Sequence, residues 1–247
     1  VYIEISKQVT LRQQLVIVCD NTQLEQSVRQ LLQQNLIDLT KVHFVVCPTD
    51  DTWALDHGPI TLINHSGQIL ALDYTYNGWG GKFSACNDNQ INQHLFAKFN
   101  INNETLNFVL EGGGIEVDGN GCLMVTTECL LNPNRNPNYS KSDIERHLME
   151  RFGCDKMLWL DFGALEGDDT DAHIDTLARF APNKSIIYQG CDKAEDSHYV
   201  GLNQMKKQLK QFTNAQGETY QLYELPWPEA QYSSDGDRLP ATYANFL

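Results

Sequence analysis

Long apolar runs are missing from this 247-residue chain. Stretches such as 15–18 fall far short of the roughly 20 residues that a helix needs to cross a bilayer, so no membrane-spanning helix is expected. Basic residues are also few. Eighteen Lys and Arg against 32 Asp and Glu leave a net charge of −14, which repels phosphate backbones and argues against a nucleic-acid partner. No Cys-x-x-Cys pair occurs among Cys19, Cys47, Cys86, Cys122, Cys129, Cys154 and Cys191, so a zinc knuckle or redox dithiol has no support. Neither G-x-G-x-x-G opening a helix nor G-x-x-x-x-G-K-[ST] is present, which disfavours dinucleotide and P-loop sites. No linker, low-complexity tract or signal-peptide pattern is visible, and scattered cysteines point to a reducing cytoplasm.

The remaining composition, 41% hydrophobic, is sufficient for a buried core. Val- and Ile-rich runs at 15–19 and 42–47 read as strands. Between them, Thr22 and Glu25 fit a capping box, and Leu24, Val28, Leu31 and Leu32 would form the buried face of a helix. Hairpins are expected where 61–64 and 69–73 flank His65-Ser-Gly67, and where 115–117 and 122–125 flank Asp118-Gly-Asn-Gly121. Helices are expected over 87–99, from Ser140 to Gly153, and through Leu202, Met205, Leu209 and Phe212. Strands fall at 106–110, 157–160, 184–188 and 219–223. The repeated order is strand, strand, helix, strand, which suggests radial repetition or a barrel rather than one doubly wound sheet.

Three segments concentrate unusual chemistry. Asp50-Asp-Thr-Trp-Ala-Leu-Asp-His-Gly-Pro59 puts three carboxylates and a tryptophan in one loop. Leu110-Glu-Gly-Gly-Gly114 places a carboxylate at a strand end beside glycines that admit close backbone approach. In Asp168-Asp-Thr-Asp-Ala-His-Ile-Asp175, an extended His173-Ile-Asp175 would put both side chains on one face. A fourth stretch, Asn132-Pro-Asn-Arg-Asn-Pro137, is rich in turn formers. Each alone is what surface turns are made of. Together they could hold a divalent metal, or a guanidinium gripped by facing carboxylates and covered by a tryptophan, with a Glu-supported His moving protons.

The ten residues 50–59, Asn77-Gly-Trp-Gly-Gly-Lys82, residues 110–114, Glu128-Cys-Leu-Leu-Asn-Pro-Asn-Arg-Asn-Pro137 and Thr170-Asp-Ala-His-Ile-Asp175 together resemble, in order, the agmatine deiminases of the bacterial-type peptidylarginine deiminase family. The resemblance implies an α/β fold, a five-bladed α/β propeller (pentein) of strand-strand-helix-strand units. It implies hydrolysis of agmatine to N-carbamoylputrescine and ammonia by a thiolate, with no metal or organic cofactor and a small cationic guanidine as partner. By motif position, Asp56 and Asp175 would grip the guanidinium, His173 would be the acid/base, Glu111 would orient it and Trp53 would line the channel. The family pattern carries arginine where this chain has Leu55, and its C-terminal His-Cys nucleophile matches none of the seven cysteines. Residues 1–247 are therefore expected to form a single deiminase domain lacking segments at both ends, an incomplete propeller that is inactive alone. Self-association into a homo-oligomer is an open expectation. Alternatives are an arginine or peptidylarginine deiminase, an inactive guanidinium-binding homologue, and a metal-dependent hydrolase using Asp168, Asp169, Asp171, His173 and Asp175.

Overall fold

The alternation of short apolar runs with amphipathic segments produces small mixed sheets, each covered by a crossover helix. The structure, a computed structural model, describes residues 1–246. It divides into two compact units, residues 1–77 with 84–107, and residues 78–83 with 108–247.

In the first unit, β1 (Leu15–Cys19) and β2 (Val42–Val46) pair in parallel, Leu15 opposite Val42, across the helix Thr22–Gln34. A parallel pair cannot be closed by a tight turn, so the helix is the required crossover. Its N-cap is Asn21, whose side chain accepts from Leu24 N, rather than Thr22. Only Leu32 of its expected apolar face is buried, while Leu24 and Leu31 are exposed. The second sheet runs β3 (Ile60–Ile63), β4 (Ile69–Thr75), β5 (Asn103–Val109), with β3 antiparallel to β4 and the helix Asp88–Phe99 between β4 and β5.

The second unit repeats this arrangement twice. The strand β6 (Glu116–Val117) is antiparallel to β7 (Cys122–Thr126), which is parallel to β8 (Lys156–Leu160) after the helix Lys141–Phe152. Likewise β9 (Ala178–Ala181) is antiparallel to β10 (Ser185–Gln189), and β10 is parallel to β11 (Gln221–Leu225) after the helix Tyr199–Leu209. All five residues of β7 are buried, which is why its sequence is a continuous apolar run without alternation. The core gathers Met124, Leu158, Leu160, Ile186, Leu202 and Met205, together with Ile174 and Leu177 from the loop that carries His173.

Among the described residues no sheet exceeds three strands, so the molecule is mixed α/β with small sheets. None of their helices is long and apolar enough to cross a membrane. The helix Tyr2–Thr10 and strand β9 add to the elements expected from sequence. Residues 173–175 do not take the extended form that would align His173 and Asp175: a 3₁₀ turn runs over Ile174–Thr176, and the Ile174 and Leu177 side chains both turn into the core.

Two features anchor the second unit, and each generates a prediction. Ser140 and Asp143 form a reciprocal capping box, with Asp143 N donating to Ser140 Oγ at 3.2 Å and Ser140 N to Asp143 Oδ2 at 3.1 Å. Ser140→Ala should cost about 1 kcal/mol, read as a lower urea midpoint at unchanged slope. Asp196 accepts from His198 Nδ1 at 2.8 Å, Trp227 Nε1 at 2.9 Å and Arg238 Nη2 at 2.8 Å, tying residues 227 and 238 to the start of the helix Tyr199–Leu209. Burial opposes its ionisation, but the hydrogen bonds from Arg238, His198 and Trp227 outweigh that and hold its carboxyl far below the usual range. A carboxyl depressed in the folded state contributes stability above its ordinary value and loses it as pH falls toward the folded value. The urea midpoint should therefore decline below about pH 4, and Asp196→Asn should flatten that decline.

Candidate active site

In the first unit, the acidic loop is fixed by the start of the helix Asp88–Phe99. The wholly buried Asp88 carboxylate accepts from Asp50 N at 2.8 Å and Asp51 N at 3.0 Å. Asp50 in turn accepts from Asn87 N at 2.7 Å and its Nδ2 at 2.8 Å. This reciprocal bolt sets where the chain enters the one-turn helix Ala54–His57. On that turn Asp56 and His57 are buried, while Trp53 and Leu55 are exposed. Burial pushes the His57 imidazole down, against the pull of Asp88, Asp56 and Asp51.

The second unit assembles the other expected residues. Glu111 lies two residues beyond β5, in extended conformation ahead of the turn Gly112–Gly114, and is 0% exposed. Asn136 fixes the strand just before it, donating to Val109 O at 2.8 Å and accepting from Val109 N at 2.9 Å. The neighbouring Arg135 takes the Glu111 carboxylate itself: Nε donates to Oε1 at 2.9 Å and to Oε2 at 3.0 Å. The segment 132–137, which reads as a plain turn, is thus a clamp on Glu111.

Two further nitrogens of Arg135 reach the loop before His173. Nη1 donates to Asp171 Oδ2 at 2.6 Å and Nη2 to Thr170 O at 2.8 Å. Lys82, from the Gly-rich motif, donates to Asp171 Oδ1 and to Asp169 O, both at 2.6 Å. Gly80 of the same motif has φ +82°, and a Cβ there would lie 3.2 Å from Asn134 Cβ and 3.6 Å from Arg135 Nη1. Only glycine lets the backbone cover the Arg135–Asp171 bond so closely. Burial works against charge on Arg135, but Cys129, Glu111 and Asp171 hold its guanidinium firmly protonated. Burial likewise opposes ionisation of Asp171, and Lys82 and Arg135 overcome it, lowering its carboxyl.

This loop is strained. Asp171 and Ala172 have φ of 63° and 60°, left-handed values that cost a non-glycine residue about 1–2 kcal/mol each. Asp168 holds the shape from within, its Oδ1 accepting from Thr170 N at 2.9 Å and Oδ2 from Ala172 N at 2.8 Å. His173 N then donates to Thr170 Oγ1 at 3.1 Å, and His173 is 1% exposed. Asp175, also buried, sits in the succeeding 3₁₀ turn.

The result is that Glu111, His173 and Cys129 offer polar atoms within 4.8 Å of one another, all three buried. A Cβ at Gly114 would lie 3.4 Å from Cys129 Sγ and 3.9 Å from His173 Nε2, so this glycine, too, makes room for the cluster. It is the only such metal-competent group among the described residues, and it is not the aspartate set expected for a metal hydrolase. The Arg135 guanidinium already lies on both Glu111 oxygens, a fixed positive charge that disfavours a second cation there. Sequence reasoning missed Arg135 and Cys129 here, and weighed Asp171 as a ligand in the metal-hydrolase alternative. The available signal was a lone arginine inside a turn-forming tract.

The carboxylates expected to attract a cation are largely engaged. Those of Asp50, Asp51 and Asp168 accept from backbone amides, and Asp171 is ion-paired. Among the thiols, burial pushes Cys19, Cys47, Cys122 and Cys191 up and takes Cys154 to about 11, which makes them poor nucleophiles.

Comparison with known proteins places this geometry. The sequence matches the Porphyromonas-type peptidyl-arginine deiminase family over residues 1–247. A Legionella pneumophila relative is 37% identical over 215 residues, covering 86% of this chain and 61% of its own length. The agmatine deiminase of Pseudomonas fluorescens is 32% identical over 234 residues, 85% of this chain and 63% of its own. A structure of C. jejuni agmatine deiminase, a cysteine-to-serine variant with substrate bound, superposes with a TM-score of 0.87 at 40% identity, covering 100% of this chain and 69% of that one. The chain thus spans about 61% of the length of the Legionella pneumophila relatives. With its motifs gathered around Glu111 and His173 and the match running from end to end, the chain belongs to the Porphyromonas-type peptidyl-arginine deiminase family.

Proposed function

We propose that this chain is the larger part of an agmatine deiminase. The observation that carries the reading is the wholly buried Glu111–His173 couple, with polar atoms within 4.8 Å, built on a turn that the Arg135 clamp fixes. A buried carboxylate beside an imidazole orients the ring and supports proton transfer at it. Asp56 and Asp175 are assigned to the guanidinium, whose planar N–H fork suits paired carboxylates. The exposed Trp53 is assigned to the substrate's apolar stem and cation face. The names of the P. fluorescens and C. jejuni relatives support agmatine as the substrate.

In the proposed reaction, a thiolate attacks the guanidinium carbon to give a tetrahedral adduct. His173 delivers a proton to the departing nitrogen, and ammonia leaves. The same imidazole then takes a proton from water, whose attack on the S-alkylthiouronium carbon releases N-carbamoylputrescine and regenerates the thiolate. We place that thiolate outside these 247 residues, because none of the seven cysteines stands in a His-Cys pair and burial pushes five of the thiols up. We also place the chain in a five-bladed α/β propeller. Three β-β-α-β units and one β-α-β unit support this. Seven cysteines that form no disulfide among the described residues support residence in a reducing cytoplasm.

The second reading, deimination of arginine or of arginine in peptides, is favoured by the family's own description. The complete gene product should be assayed with agmatine, free arginine and a blocked arginine peptide. The highest kcat/KM is expected for agmatine, and His173→Asn should lower it at least about 100-fold. Equal or better turnover of either arginine substrate would establish the second reading. No turnover of any of the three would leave a guanidinium-binding protein.

A further inference from the structure

The positions of Glu111 and His173 do not come from the same piece of chain. Glu111 lies just past the end of β5, ahead of the turn Gly112–Gly114, whereas His173 follows a loop with two left-handed residues. What joins the two is a single side chain. Arg135 has 0% side-chain exposure and uses all three of its nitrogens, one on Glu111, one on Asp171 and one on Thr170 O. We infer that Arg135 is a positioning residue of the reaction, a fork that holds Glu111 and the His173-bearing loop in one frame and fixes the charge between them.

Three considerations carry this beyond packing. The guanidinium is planar and rigid, so bonding through Nε on one side and both Nη atoms on the other sets the distance between its two partners. A lysine would supply the charge as a point but could not span both. Secondly, the loop cannot hold its own shape cheaply, because Asp171 and Ala172 lie in the left-handed region, and Asp171 is the residue that Arg135 and Lys82 grip. Thirdly, the charges balance: Arg135 and Lys82 face Glu111 and Asp171. A buried network that is neutral as a whole leaves each neighbouring titration sensitive to the loss of any one member.

The last point gives opposite signs for two substitutions. Removing the cation with Arg135→Gln makes proton uptake easier for the groups around it, so both limbs of the pH–kcat/KM profile should move to higher pH, by about one unit. Removing an anion with Asp171→Asn makes uptake harder, and the limbs should move to lower pH. Asparagine also tolerates the left-handed backbone at that position, so this variant keeps the loop conformation accessible should Arg135→Gln fail to fold. Arg135→Lys keeps the charge and loses the fork: its limbs should stay in place while kcat drops at least about tenfold and KM changes little.

This inference rests on the proposed deiminase reading, so the experiment has two arms, both on the complete gene product. The first is the agmatine pH profile of wild type and the three variants. The second, independent of activity, is amide hydrogen exchange, in which the Arg135 and Asp171 variants should exchange faster at 110–115 and 168–176 while the helix Tyr199–Leu209 is unchanged. Limbs at wild-type pH in both Arg135→Gln and Asp171→Asn, or limbs moving the same way in the two, would overturn the charge role. Exchange that is unaltered, or raised throughout the chain, would reduce Arg135 to a packing residue. Absence of agmatine turnover by the wild-type protein would instead sink the deiminase reading, while the exchange arm still decides whether Arg135 holds the two segments together.

Discussion

The geometry around His173 depends on one guanidinium. Arg135 is buried, and burying an ion costs several kcal/mol that an ion pair often fails to recover. A network of four buried or half-buried charges is therefore a poor way to stabilise a domain when Leu or Met would fill the same volume. Its value lies in direction. Apolar contacts fix a distance of approach but not an orientation, while a fork with three acceptors fixes both. The strain at Asp171 and Ala172 makes sense in the same light, because a backbone that would otherwise relax is held by a bond at each end, Asp168 from within and Arg135 from outside.

Much of what four of the family motifs contain serves this arrangement. Of five quoted motifs, four lie in the second unit and meet at the clamp. Lys82 and Gly80 come from the glycine-rich segment, Glu111 from the strand end, Arg135 and Asn136 from the turn tract, and Thr170, Asp171 and His173 from the last loop. A turn tract such as 132–137 tolerates many sequences when it merely reverses the chain. Here three of its six positions have separate tasks, since Asn132 shapes the turn, Asn136 holds the strand and Arg135 the carboxylate.

Much of the architecture was legible from sequence because it is encoded locally. The hairpin turns, the Ser140 cap and the apolar runs of β1, β7 and β10 each announce themselves within a few residues. Reading failed where a neighbour in space decided the outcome. The cap at Asn21 rather than Thr22 is a shift of one position between two equally competent side chains. The stretch His173-Ile-Asp175 alternates as a strand would, yet two core contacts bend it into a turn. The clamp was invisible for a plainer reason. Arg135 meets Glu111 across 24 positions and Asp171 across 36, and no periodicity connects residues that far apart.

The strong acidity of the chain acquires a more limited meaning in the structure. Thirty-two acidic residues suggest a surface that draws cations in, yet those clustered in the motifs are mostly spent on shaping loops. Asp50 and Asp88 hold each other's segments, Asp168 organises the turn before His173, and Asp171 is neutralised by two cations. A carboxylate already accepting two amide hydrogen bonds is fixed in place and has fewer acceptor sites left for a ligand. Discrimination among guanidines would then rest on a few groups close to the reacting carbon, with the net charge of −14 acting only as a long-range, salt-screened bias. Position 55, where the family pattern carries arginine, holds an exposed leucine, so no cation from that position offsets the acidic loop.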